Sequence, residues 1–162
     1  MNNIKRYWRI IFPILLVIII WAFSDRNGAS SSAQSNAVAD MIGASNDFLR
    51  KFAHFVLFGA LGYSCTCFIK GLHPATFPKH TMVFYPVIVT TVYGALDEVH
   101  QLTVVGRNGS ASDVFIDAMA GIAGTLLYIT VFCFYRIWKS RRDAAKAIIA
   151  AQQDYIQENG LE

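Results

Sequence analysis

The chain has 162 residues, of which 54% are hydrophobic and only 15% charged, and its mean hydropathy is +0.39. That balance excludes a disordered or ordinary soluble chain and points to a membrane protein with one principal domain. The net charge of +3 comes from basic residues at the chain ends and beside apolar runs, a topology signal rather than a nucleic-acid-binding face.

Lys5, Arg6 and Arg9 precede the first apolar run, Ile10 to Phe23. A signal peptide has the same outline, but the run from Tyr7 to Phe23 reaches the lower limit of a membrane span, and Trp21 suits an interfacial anchor. A retained first span is the preferred reading. The stretch from Ser24 to Asn46 is rich in Ser, Ala, Asn and Gly and is expected to form a loop. Its later part, from Ala37 to Phe48, shows some helical spacing.

Arg50 and Lys51 lead into a second span, Phe52 to Ile69. His54 follows Lys51 by three residues, so both project from one helix face at its entry. Gly59, Ala60, Gly62 and Ser64 supply the small side chains that allow close helix approach. A short loop with Gly71, Pro74 and Pro78 leads to the third span, Thr81 to Leu96, where Pro86 is expected to produce a kink. The three cysteines, Cys65, Cys67 and Cys133, all fall inside apolar runs. They are expected to be buried small hydrophobes without a disulfide framework.

The third span runs straight into Asp97-Glu98-Val99-His100-Gln101. Tyr93, Asp97 and Gln101 share one helix face, with His100 close to it and Glu98 about a quarter-turn away. Residues 102–110 turn the chain with the help of Gly106 and Gly109, and Ser112 is expected to cap the fourth span, from about Asp113 to Tyr135. Asp113, Asp117, Gly121 and Gly124 trace one face of that span, so Asp117 is expected inside the bundle. Arg136, Lys139, Arg141 and Arg142 follow, and then an amphipathic helix from Ala144 to Ile156.

The expected fold is all-α: a polytopic bundle of four transmembrane helices with a C-terminal amphipathic helix, divided into a membrane domain 1–137 and a cytoplasmic tail 138–162. The richer set of Lys and Arg lies with the termini and with Lys70 and Lys79, which predicts cytoplasmic termini in the cell membrane. On that topology, Lys51, His54, the Asp97–Gln101 run, Arg107, Asp113 and Asp117 converge at the extracytoplasmic end. Ionisable groups at membrane depth mark functional sites by default.

These residues resemble the VanZ-like membrane protein family. The resemblance is carried by Lys51-Phe52-Ala53-His54-Phe55, Asp97-Glu98-Val99-His100-Gln101, Gly106-Arg107, Ser112-Asp113-Val114, Asp117 and Gly121, and it covers about residues 8 to 130. Trp21 and Phe23-Ser24 also resemble the family's first span, less specifically. Val105 stands where the family often has Pro. The resemblance implies four transmembrane helices and a link to teicoplanin-type glycopeptide resistance.

Two functions compete at this stage. As an enzyme, the protein would use Asp97, Glu98, His54 and Asp113 as proton-transfer groups, with Lys51, Gln101, Arg107 and Asp117 binding substrate. As a binding or protective protein, the same residues would hold a lipid head group or wall-precursor fragment without chemistry. A third reading has the charges only pin the helices. Expected partners are membrane lipids and an anionic, lipid-linked envelope molecule, not nucleic acid. His54, Asp97, Glu98, His100 and Asp113 are eligible metal ligands, but their spacing is not diagnostic.

Overall fold

A computed structural model describes residues 3–25, 45–72, 81–107 and 109–160. Among them the chain forms four α-helices and no strand: α1 (Asn3–Ser24), α2 (Asn46–Leu72), α3 (Thr81–Gln101) and α4 (Ala111–Glu158). All four are long and apolar enough to cross a membrane. The Ser- and Asn-rich stretch 26–44 and the turn with Pro74 and Pro78 lie outside the described residues.

The helix boundaries follow local chemistry. Ser45 caps α2, its Oγ accepting from Phe48 N at 3.2 Å. α3 runs on through Pro86, whose carbonyl accepts the Thr90 hydroxyl at 2.9 Å. Gly106 adopts φ 77° in the turn after α3, a conformation suited to glycine. The cap of α4 is Ser110 rather than Ser112. Ser110 Oγ accepts from Ser112 N at 3.2 Å and its carbonyl receives Asp113 N at 3.0 Å, because the helix starts at Ala111, two residues earlier than the acidic pattern suggests.

By contact density the chain divides into Met1–Tyr128 and Ile129–Glu162. The first unit holds the core, built from Leu16 and Ile20 of α1, Phe58, Leu61 and Cys65 of α2, and Ala120 of α4. Tyr93 of α3 donates to the Val17 carbonyl at 2.7 Å and ties α3 to α1. Large apolar side chains such as Phe52, Ile88, Val92 and Phe115 are exposed. In a bilayer they face acyl chains, against which helices gain nothing from hydrophobicity and associate through close packing instead.

That packing is tightest between α2 and α4. A Cβ added to Gly62 would collide with the Gly121 carbonyl, and one added to Gly124 would collide with the Gly59 carbonyl. Farther along, Thr66 and Thr125 lie 3.4 Å apart and Tyr63 meets Tyr128 edge-on. The two helices therefore run side by side in the same direction.

The second unit is the remainder of α4, which continues unbroken to Glu158. The amphipathic helix expected from Ala144 to Ile156 is thus the end of α4, not a separate element. The whole helix has 48 residues, well beyond the roughly 20 that a span needs. Trp138 lies tilted against Tyr135, with ring centres 6.3 Å apart, and under the Arg142 guanidinium, 4.8 Å from its ring centre. This is the aromatic and basic pairing expected at a membrane boundary. The cysteines differ in setting. Cys65 is buried and Cys67 half-buried, but Cys133 is exposed, because an apolar helix in a membrane carries apolar residues on its outer faces too.

Gly124→Ala is expected to destabilise the bundle by about 1–3 kcal/mol, as overpacking against rigid backbone does. Ala123→Leu, on the exposed face, should leave the melting temperature in detergent near wild type. Equal melting temperatures for both variants would show that the α2–α4 contact is not tight.

Candidate functional site

Four segments meet at one end of the first unit: the C-terminus of α1, the start of α2, the end of α3, and the turn and first helical turns of α4. Their buried polar residues are Ser24, Asp97, Glu98, Gln101, Arg107, Asp113 and Asp117.

The α2–α4 contact produces a two-rung ladder. Arg50 and His54 are one helical turn apart on α2, and Asp113 and Asp117 are one turn apart on α4. Parallel packing sets Arg50 Nη2 3.8 Å from Asp113 Oδ2 and His54 Nδ1 3.6 Å from Asp117 Oδ1. Gly94 of α3 makes room for Asp117, since a Cβ there would lie 3.0 Å from the Asp117 Cβ. His54 also stacks on Phe58, with ring centres 6.0 Å apart.

Asp97 and Glu98 are held differently. Asp97 Oδ2 accepts from Ser24 Oγ at 2.8 Å and from Gln101 Nε2 at 2.9 Å, so it fastens α1 to α3. Glu98 Oε2 accepts the backbone N–H of Ser110 at 2.7 Å, and its Oε1 lies 3.4 Å from Gln101 Nε2. A side chain of α3 thereby holds the entry to α4. One ligand atom from each of His54, Glu98 and Asp117 falls within 4.8 Å of the others.

His100 and Arg107 both reach the end of α1. His100 turns away from the carboxylates: its Nε2 lies 3.3 Å from Asp25 Oδ1, and its ring stacks on Trp21 at 5.9 Å. Three residues beyond Asp97 on a helix, it faces the end of α1. Arg107 donates from Nη2 to the Phe23 carbonyl in the last turn of α1 at 3.0 Å. Burial draws the Arg107 guanidinium below its usual value and Arg50 pushes the same way, while Asp97 and Glu98 oppose them. An arginine keeps its charge through such shifts.

A small cleft, with room for about one water-sized group, opens beside the ladder, lined by Arg50, Lys51, His54, Gln101, Asp113, Ile116 and Asp117. Most of the residues singled out in the sequence thus come together. Arg50 and Ser24 are the two that sequence reasoning missed. The matching four-residue steps, 50 to 54 and 113 to 117, carried the signal for Arg50. Nothing local marked Ser24, because its partner is 73 positions away.

The VanZ/LLP1 family model matches residues 9–149. The chain therefore belongs to the VanZ/LLP1 family. No curated protein and no solved structure gives a significant match.

Asp97→Leu should cost about 1–3 kcal/mol, because it leaves the buried donors of Ser24 and Gln101 without an acceptor. Asp97→Asn retains a side-chain oxygen there and should melt close to wild type. Equal losses for the two variants would mean that the charge of Asp97, rather than its acceptor, holds α1 to α3.

Proposed function

We propose that this member of the VanZ/LLP1 family lies in the cell membrane with both termini in the cytoplasm. In this reading the polar end of its bundle faces outward and binds the anionic head group of an envelope molecule, such as a lipid-linked wall precursor. Family membership links the chain to teicoplanin-type glycopeptide resistance. A protein that holds or alters an outer-leaflet precursor fits that link, because glycopeptides act on such molecules.

The observation that carries the reading is the cleft itself, with Arg50 and Lys51 beside half-buried His54 and buried Asp117. Its room of about 10 Å³, enough for one water-sized group, is far below the roughly 300–1,000 Å³ of sites that enclose a whole small molecule. That favours recognition of a head group, with the rest of the ligand lying in the membrane or in solvent. Arg50 and Lys51 hold the anion by charge-assisted hydrogen bonds, and Asp113, 3.8 Å from Arg50, orients the guanidinium. Arg107 fastens the end of α1 next to the site and adds positive potential. Should the bound molecule be turned over, His54 between Asp117 and Glu98 is the group suited to carry a proton, and Asp97 keeps the wall of the site in place.

Lys51→Ala is expected to weaken binding of a polyprenyl phosphate in nanodiscs about tenfold, the loss of one charge-assisted bond. It should also lower teicoplanin tolerance in a susceptible host without changing membrane abundance. Unchanged binding and tolerance would defeat the proposal. Orientation has its own test. In a background lacking the native cysteines, Val105→Cys should react with an impermeant thiol reagent on intact cells, and Gln152→Cys should not. The reverse labelling would invert the topology.

A further inference from the structure

Asp117 is wholly buried, yet neither of its carboxylate oxygens has a hydrogen-bond partner among the described residues. A buried carboxylate left in that state is costly and calls for a compensating group. His54 Nδ1 lies 3.6 Å from Asp117 Oδ1 and is itself without a hydrogen bond. That separation is too long for a hydrogen bond. It is, however, the spacing of two ligands on one metal ion, since donors about 2.1 Å from a tetrahedral centre lie about 3.4 Å apart.

Glu98 completes the set, with the three donor atoms within 4.8 Å of one another. Its carboxylate is oriented by the Ser110 N–H and by Gln101, the kind of outer contact that fixes a ligand for a metal. Each of its oxygens keeps a lone-pair direction to spare. The local charge points the same way. Four carboxylates, of Asp97, Glu98, Asp113 and Asp117, face three cationic side chains, of Arg50, Lys51 and Arg107. With His54 neutral, as a metal ligand must be, one negative charge remains to be offset, in a place that is supposed to attract anions.

We propose that His54, Glu98 and Asp117 bind a divalent transition-metal cation, Zn²⁺ or Mn²⁺, with an open position toward the cleft. One imidazole and two carboxylates suit these ions. Ca²⁺ and Mg²⁺ want more oxygen ligands than three side chains supply. The inference rests on the proposed anion site and deepens it: the ion reverses the local excess of negative charge and offers a head-group oxygen a coordination position between Arg50 and Lys51. The ligand class then narrows to phosphates and carboxylates that bind metal through oxygen.

Full-length protein purified in detergent without chelator should contain about one equivalent of Zn or Mn by elemental mass spectrometry, as a single three-ligand site requires. After chelation, added ZnCl₂ or MnCl₂ should raise the melting temperature, and MgCl₂ at the same concentration should not. Asp117→Asn and, separately, Glu98→Gln should each weaken uptake by at least about tenfold. Asp25→Asn, which changes the His100 contact outside the cluster, should take up metal like wild type. Should Asp117→Asn fail to fold, Glu98→Gln and the melting response of the wild type decide the matter. The inference is overturned if the wild type takes up no metal and shows no melting response, if Mg²⁺ stabilises it equally, or if Glu98→Gln binds metal as tightly as wild type. Polyprenyl phosphate binding separates the two readings. Binding that survives chelation, without metal uptake, removes the metal and leaves the anion site. Stoichiometric metal without any lipid binding supports the metal and removes the anion site.

Discussion

The backbone contact between α2 and α4 is the constraint on which the polar end depends. Gly59 and Gly62 on one helix meet Ala120, Gly121 and Gly124 on the other, with no room for a Cβ at the tightest points. Because the helices run in the same direction, a four-residue step on one is matched by a four-residue step on the other. Arg50 and His54 therefore face Asp113 and Asp117 as successive rungs. Larger side chains at the glycines would push the helices apart and separate the rungs before any charge was changed. In a bilayer, where apolar area gives no drive for helices to associate, such contacts and the polar links between helices are what remain to hold the bundle.

The four buried carboxylates are compensated in different ways, and the differences assign them different work. Asp97 Oδ2 accepts from both Ser24 and Gln101 and acts as a fastener between α1 and α3. Glu98 receives the Ser110 N–H and fixes where α4 begins. Asp113 has Arg50, at the partly exposed edge of the cluster. Asp117 has only a distant imidazole, although it is the most deeply buried of the four. Asp117 alone of the four has no hydrogen bond among the described residues, and it faces His54 at 3.6 Å as Asp113 faces Arg50 at 3.8 Å. Arg107 belongs with the fasteners: its bond to the Phe23 carbonyl and the Ser24–Asp97 bond hold neighbouring residues of α1. The end of α1 is thus part of the site although it contributes no residue to the cleft.

Hydropathy and residue spacing determined a good deal by themselves. Four apolar stretches of spanning length defined four helices, because a membrane leaves the backbone no alternative. The small residues of α2 and α4 and the helical step from Asp113 to Asp117 marked the packed faces, since periodicity fixes which residues share a side. Family-like motifs around His54, Asp97–Gln101 and Asp113 marked the polar end. Only the tertiary structure decided which of these residues meet. It turned His100 to Asp25 and Trp21, gave Arg107 to a backbone carbonyl, brought in Arg50 and Ser24, moved the cap of α4 to Ser110, and left Asp117 against His54 without a hydrogen bond. Those outcomes depend on the rotation and depth of one helix against another. Contacts between residues tens of positions apart set both, and no local pattern records them.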